Sequence, residues 1–383
     1  MAESLPGAAI ATAVDAMDLA YGPWAPAWSP APFSLEHSHA GRYLWSDAFG
    51  VCNYCSLYYE TGDETFLRRA ESLVKAVHDA LGFDRPRRAR LPGASEEHPT
   101  RGGLRIGKAD AEGPDGDGQY LHYLTKWAFA LLQAPTDEPR YLEWALELAE
   151  GTFLKFLCLP APGGGRRLSW KMDAALTRPL VASSGNLDAF DALVTWRLLS
   201  DAAGRVLGDD GGRARLASEI AAAERLVAPW WRGFASDDPL DLGEALWLAH
   251  WYCDSRLLLT GGRPRGGGGG GMGEGKGGEG PLDLGEASGW VAAEALRALE
   301  GLFEAGYFER PAARRLAFRE FGASLGVQAV VSRAPELPSA KAWARRVAAL
   351  HRFWRGPALT ARDRDISPIM YAASLLPRVW IKG

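Results

Sequence analysis

The 383-residue chain carries only four cysteines, Cys52, Cys55, Cys158 and Cys253. A secreted scaffold stapled by disulfides needs several spaced pairs. Cys52 and Cys55 are spaced C-x-x-C, but no second pair and no nearby histidine completes a tetrahedral zinc set. They lie inside an apolar helical pattern, so buried free thiols in a reducing compartment are expected. No run of about 18 apolar residues occurs, so no membrane-spanning helix is expected. The stretch "MAESLPGAAIATAVDAMDLAYG" lacks a basic start and a long apolar core, and it carries Glu3, Asp15 and Asp18. Neither a secretory signal nor a transit peptide is expected there. Positive charge is not in excess: 43 Lys and Arg stand against 47 Asp and Glu, a formal net charge of -4. Phosphate-backbone binding needs a basic surface. The densest basic run, Arg85 to Arg90, reads as solvated loop. The expectation is a cytoplasmic protein that engages neither nucleic acid nor membrane.

Strand-like alternation is also scarce, whereas apolar spacing at i, i+3, i+4, i+7 recurs along the chain. It predicts helices over 3–20, 46–60, 64–81, 117–133, 137–157, 187–203, 213–228, 241–260, 286–304, 312–332, 338–353 and 366–378. Some, such as "FLRRAESLVKAVHDAL", are amphipathic with one charged face. Others, such as "AFGVCNYCSLYY" and "LDAFDALVTWRLL", are apolar nearly all round and must be covered on every side. The two kinds alternate along the first eight helices. Six hairpins closed into a double ring follow: an all-α (α/α)6 toroid, a single domain over 1–383. Turns such as "TGD" 61–63 and "APT" 134–136 are short, while the connections 82–116 and 158–186 are long and precede inner helices. Long loops on a rigid scaffold are where function concentrates.

The stretch 261–280, "GGRPRGGGGGGMGEGKGGEG", cannot pack a core and reads as a disordered Gly-rich insertion. The heptad "PLDLGEA" stands on both sides of it, at 239–245 and 281–287, as two equivalent helix starts or a local duplication. "DDPLD", 237–241, matches the acidic motif of magnesium-dependent prenyl-diphosphate enzymes, but Pro239 suits only a helix start.

The stretches "YYETGDETFLRRAESLV", "DGDGQYLHYLTKW" and "SSGNLDAFDALVTW" resemble the six-hairpin glycosidase superfamily. That superfamily includes glycoside hydrolases, unsaturated-uronide hydrolases and sugar epimerases. The resemblance implies a carbohydrate-binding mouth at the N-termini of the inner helices. No catalytic residue is carried over from it.

Carboxylates stand at the start of several inner helices: Asp47, Asp117, Asp188 and Asp241. Each is a natural cap, and Asp241-x-x-Glu244 has capping-box spacing. If the inner helices form a ring, the same groups converge on one cavity, and glycoside hydrolysis needs two carboxyl groups. Asp191 lies beyond the first turn and, with Asp188 and Thr195, makes a polar stripe on a buried helix. Gln119, His122 and Lys126 share a second stripe behind Asp115 and Asp117, one of which is expected to cap. Asp117 and Asp191 are the leading acid/base candidates, with Asp188, Asp241 and Glu244 in reserve. Arg105, Lys108, Gln119, His122, Lys126, Trp170, Lys171, Asp173, Trp45 and Asp47 are the candidate substrate contacts. Arg105 and Lys108, in "GGLRIGK" 102–108, suit an anionic group such as a uronate; Trp170, in "SWKMD" 169–173, suits a sugar face. The expected function is a glycoside hydrolase acting on a small-molecule or oligosaccharide substrate, without metal or cofactor. A sugar epimerase using His122 or His250 is an alternative, with His351 a third candidate proton shuttle. A catalytically silent carbohydrate-binding protein is another.

Overall fold

The computed structural model describes residues 7–113, 115–134, 139–259, 281–356, 359 and 362–381. The expected insertion at 261–280 lies outside the described residues, as do positions 135 and 136 of the "APT" turn. Among the described residues the chain is mostly helical with little strand. No helix among them is long and apolar enough to cross a membrane. The chain forms two compact units, Met1–Ala223 with Asp363–Val379, and Glu224–Arg362 with Trp380–Gly383.

The helices are α1 Gly7–Tyr21, α2 Leu44–Thr61, α3 Thr65–Leu81, α4 Leu121–Gln133, α5 Arg140–Phe156, α6 Asp188–Leu207, α7 Asp209–Ala214 and α8 Ala217–Trp230. They continue as α9 Pro239–His250, α10 Ser255–Leu259, α11 Leu284–Glu304, α12 Ala317–Arg333, α13 Ala340–Trp354 and α14 Ser367–Leu375. Each span predicted from periodicity overlaps one of these. The short α7 is not predicted, and the span 241–260 is two helices. Single 3₁₀-type bonds tighten the end of α9, and the Asp254 side chain accepts the Arg256 N–H at 3.0 Å to open α10.

In the first unit α2 is buried without interruption from Leu44 to Leu57. It packs against α3, α4 and α14, and α4 packs against α5 and α6. The helices read as apolar all round, α2, α4 and α6, thus form a buried row, while amphipathic α3 turns Phe66, Leu73, Val74, Val77 and Leu81 inward. The α2–α3 turn closes as "TGD" chemistry dictates. Gly62 takes φ 71° and returns its N–H to Tyr58, and the Asp63 side chain accepts the Thr65 N–H at 2.9 Å. Deep in the row, the Asn53 amide donates to the Ile369 carbonyl at 2.9 Å and ties α2 to α14.

The long connections are folded onto the heads of these helices. Strand β1 Gln119–Tyr120 pairs antiparallel with β4 Lys171–Met172, which joins the loop before α4 to the loop before α6. A second small hairpin joins β2 Leu159–Pro160 to β3 Arg166–Arg167. The expected helix start at 117 is therefore wrong by one turn: 119 and 120 are committed to the ladder, and α4 begins at Leu121.

In the second unit α9 and α12 cross at glycine. A Cβ at Gly243 or Gly326 would collide with the partner helix backbone, so only glycine permits this approach. A buried Arg315–Glu320 pair, bidentate at 2.7 and 2.6 Å, also receives the Trp354 indole at 2.7 Å. The two copies of "PLDLGEA" both open helices, but not equivalently. The first starts at Pro239 behind the cap Asp238, which accepts the Leu240 N–H; in the second Asp283, the counterpart of Asp241, is itself the cap and accepts the Glu286 N–H. Of the capping box expected at Asp241-x-x-Glu244, the forward half, a cap carboxylate accepting the N–H three residues on, forms at Asp283 and Glu286.

Candidate functional site

Asp117 and Asp191 sit in different surroundings. Asp117 lies before β1, and Tyr120 holds the N-cap position of α4 with no side-chain cap. Neither Asp115, which is exposed, nor Asp117 caps this helix. The Asp117 carboxylate instead receives the Arg105 guanidinium, Arg85 at 2.9 Å, and the N–H groups of Gly107 at 2.9 Å and Lys108 at 3.3 Å. Arg105 is fully buried and also donates to the carbonyls of Phe83 at 2.7 Å and Ala80 at 2.8 Å. Gln119 donates to the carbonyls of Gly102 and Ala174 at 2.9 and 2.8 Å. These three expected site residues hold the two long loops together: Arg105 and Asp117 bond each other and the backbone, and the Gln119 amide N–H groups go to two carbonyls.

Asp191, fully buried near the head of α6, is the centre of a second network. It accepts from Thr125 at 2.5 Å, Lys126 at 2.8 Å, His122 Nδ1 at 3.1 Å and Thr195 at 3.3 Å. The two polar stripes read separately, His122 with Lys126 on α4 and Asp191 with Thr195 on α6, therefore face each other. Burial pushes the Asp191 carboxyl up, but the Lys126 ammonium and the His122 hydrogen bond outweigh it and hold the carboxyl at about 2. On the far side of the imidazole, Trp45 Nε1 donates to His122 Nε2 at 3.2 Å. An indole can only donate, so Nε2 carries a lone pair and the proton sits on Nδ1, facing Asp191. The His122 side chain is 12% exposed against 0% for Asp191.

Half-buried aromatic rings surround His122. Tyr120 lies 5.6 Å and Tyr123 5.8 Å from its ring. Tyr120 touches Tyr123 at 4.8 Å and Trp170 at 4.9 Å; Tyr123 meets Tyr43 at 5.5 Å with their hydroxyls 2.5 Å apart. Tyr43, Tyr120 and Tyr123 were not among the expected contacts. "QYLHY" held the signal: two tyrosines flanking a histidine bring all three rings to one helix head.

The remaining candidates divide. Trp170, Lys171 and Lys108 edge this aromatic cluster. Asp47 is fully buried; it accepts Tyr43 N–H at 3.2 Å and the Tyr21 hydroxyl at 3.1 Å and faces Arg42 at 3.4 Å, closing the start of α2. Burial raises its carboxyl to about 6. Asp173 folds a turn, accepting from Thr177 N at 2.7 Å and Oγ1 at 2.6 Å. Asp188 begins α6 and packs on Gly185. Asp241, Glu244, His250 and His351 belong to the second unit, where Asp241 accepts from Ser236 at 3.3 Å and burial lowers His351 to about 4. No family model and no curated protein matches the chain.

Proposed function

We propose that the chain is a carbohydrate-active enzyme on an (α/α)6 toroid and that it moves a proton at a sugar carbon, as an epimerase or isomerase. The observation that carries this reading is the His122–Asp191 pair under the indole of Trp45. A neutral imidazole with its proton on the carboxylate side presents a basic nitrogen away from it, the arrangement a general base needs. Nε2 would take the proton from the carbon next to the carbonyl of an open-chain sugar, with the C–H electrons passing to the carbonyl oxygen. Asp191 would steady the imidazolium that forms, and Lys126 keeps Asp191 ionised. Return of the proton to the opposite face of the same carbon, after the open-chain enediolate has turned over, completes epimerisation; return to the neighbouring carbon, with the hydroxyl proton passing from one enediolate oxygen to the other, completes isomerisation. Trp45 must release Nε2 for this step, so substrate entry and indole movement are linked.

The aromatic rings around His122 suit the apolar face of a sugar. The hydrolase reading is less well supported. Its leading pair, Asp117 and Asp191, share no hydrogen-bonding partner. Asp191, held at about 2, does not suit a general acid, and the Asp117 carboxylate oxygens are already occupied by two guanidinium groups and two backbone N–H groups. The four free cysteines suit a reducing compartment, and we place the protein in the cytoplasm.

The test is proton exchange. Incubation with a panel of aldoses, ketoses and uronates in heavy water should place deuterium on a carbon beside the carbonyl, followed by NMR, and His122→Gln should abolish it. Glycoside cleavage without C–H exchange would overturn the reading.

A further inference from the structure

A cavity of about 470 Å³ lies in the first unit between α3, α5 and the loop that follows α3. That volume is in the range of small-molecule pockets. The loop is pinned to α5 at two points. Trp144 Nε1 donates to the Glu97 carbonyl at 2.9 Å, and Thr100 Oγ1 to the Trp144 carbonyl at 2.7 Å, so the walls are preformed. His78 lines the cavity from α3 and is only 4% exposed. Trp127 Nε1 donates to His78 Nε2 at 3.1 Å, so Nε2 holds the lone pair and the proton sits on Nδ1. Burial, and next the Arg90 charge, keeps the ring neutral by lowering its pKa to about 3. The Nδ1–H has no hydrogen-bond partner among the described residues. A buried donor left unpaired is costly. The half-buried Trp144 ring stands beside it, 5.2 Å from the imidazole, and Tyr141 meets Trp144 edge-on at 5.4 Å. Charges around the cavity are matched in sign. Lys75 pairs with Asp79 at 2.5 Å and Arg90 with Glu96, while Arg140 and Glu71 add one of each. Such a lining favours neither an anion nor a cation.

We propose that this cavity binds a neutral, flat heteroaromatic molecule, with an acceptor atom of the ligand taking the His78 Nδ1–H and its ring lying against Trp144 and Tyr141. The site shares none of its named residues with the His122 site and does not rest on the sugar reading. A ring without an acceptor leaves the Nδ1–H unpaired, and a charged ring brings a charge that the matched lining does not answer.

The experiment is calorimetric titration of the full chain with nicotinamide, caffeine, indole, benzoate and benzylamine. Nicotinamide and caffeine are neutral and carry acceptors. Indole is flat but offers no acceptor atom, and the last two are charged. At least one of the first two is expected to bind roughly fivefold or more tighter than each of the other three, the scale of one hydrogen bond. Which one it is tells a single ring from a fused pair. Ser72→Phe fills the cavity and should remove that binding. Ser72 is half-buried and its hydroxyl donates to the Arg68 carbonyl of its own helix at 2.8 Å, so the replacement is compatible with folding; thermal melts check this. A second readout needs no variant: in ¹H–¹⁵N spectra of the wild type the His78 Nδ1–H proton should move downfield with the bound heteroaromatic and not with indole. The proposal is overturned if neither nicotinamide nor caffeine binds, or if indole or a charged probe binds as tightly. Binding that survives Ser72→Phe, or a His78 Nδ1–H signal that stays in place, overturns it as well.

Discussion

Trp45 Nε1 donates to His122 Nε2 at 3.2 Å, and this single contact decides which imidazole nitrogen carries the proton. An indole has no lone pair to offer, so the proton is confined to the face that meets Asp191. Long-range ¹H–¹⁵N correlation should find the Nδ1–H tautomer of His122 in the wild type. Trp45→Phe should give a mixture of the two tautomers with the fold retained. A pure Nε2–H tautomer in the wild type would contradict the assignment.

Asp191→Asn should destabilise the protein by about 3–5 kcal/mol, because the buried Lys126 ammonium loses its counter-charge. Asp191→Asn/Lys126→Met should recover part of that loss, which a urea-unfolding double-mutant cycle will measure. The acid limb follows from the depressed carboxyl. Its stabilisation is complete above the unfolded value near pH 4 and fades as the pH falls through about 2.

Asp117→Asn should lower stability without removing the chemistry. The substitution leaves two guanidinium groups and two backbone N–H groups with a weaker acceptor. Thermal unfolding should shift down, while deuterium exchange per folded molecule persists. Complete loss of exchange in folded Asp117→Asn would return Asp117 to the catalytic list.

His78 should make the first unit acid-sensitive. Burial, aided by the Arg90 charge, lowers its pKa to about 3, and Trp127 Nε1 donates to its Nε2 at 3.1 Å. The folded protein therefore binds fewer protons here than the unfolded chain below the ordinary value of about 6.5. The stabilisation is complete above pH 6.5 and is lost as the pH falls toward 3, a total of about 5 kcal/mol. His78→Gln should flatten that part of the stability–pH curve.

Asp47 should act in the opposite sense. Its carboxyl is raised to about 6, so the folded state holds the proton more tightly, and stability falls by about 3 kcal/mol as the pH rises from 4 to 6. Denaturation midpoints of Asp47→Asn against wild type should converge at low pH and separate above 6. Parallel curves would refute the assignment.

The helices were legible because periodicity is local. The burial of α2, α4 and α6 and the one-sided face of α3 follow from side chains a turn apart. The start of α4 was not legible, since Gln119 and Tyr120 were claimed by a strand partner more than fifty positions away. The twin heptads make the same point: identical residues set the helix start at Pro239 in one copy and at Leu284, behind the cap Asp283, in the other. What precedes each copy differs, and a cap depends on its neighbour.

The order of residues alone determined which segments coil, which of their faces are apolar, and that His122 shares a face with Lys126 and Asp191 with Thr195. Packing decided that these two faces meet, across 69 positions between His122 and Asp191, and that Asp117 turns instead to Arg105. A buried charge accepts whatever counter-charge the surrounding helices and loops deliver, and that delivery is set by distances between segments that no local pattern encodes.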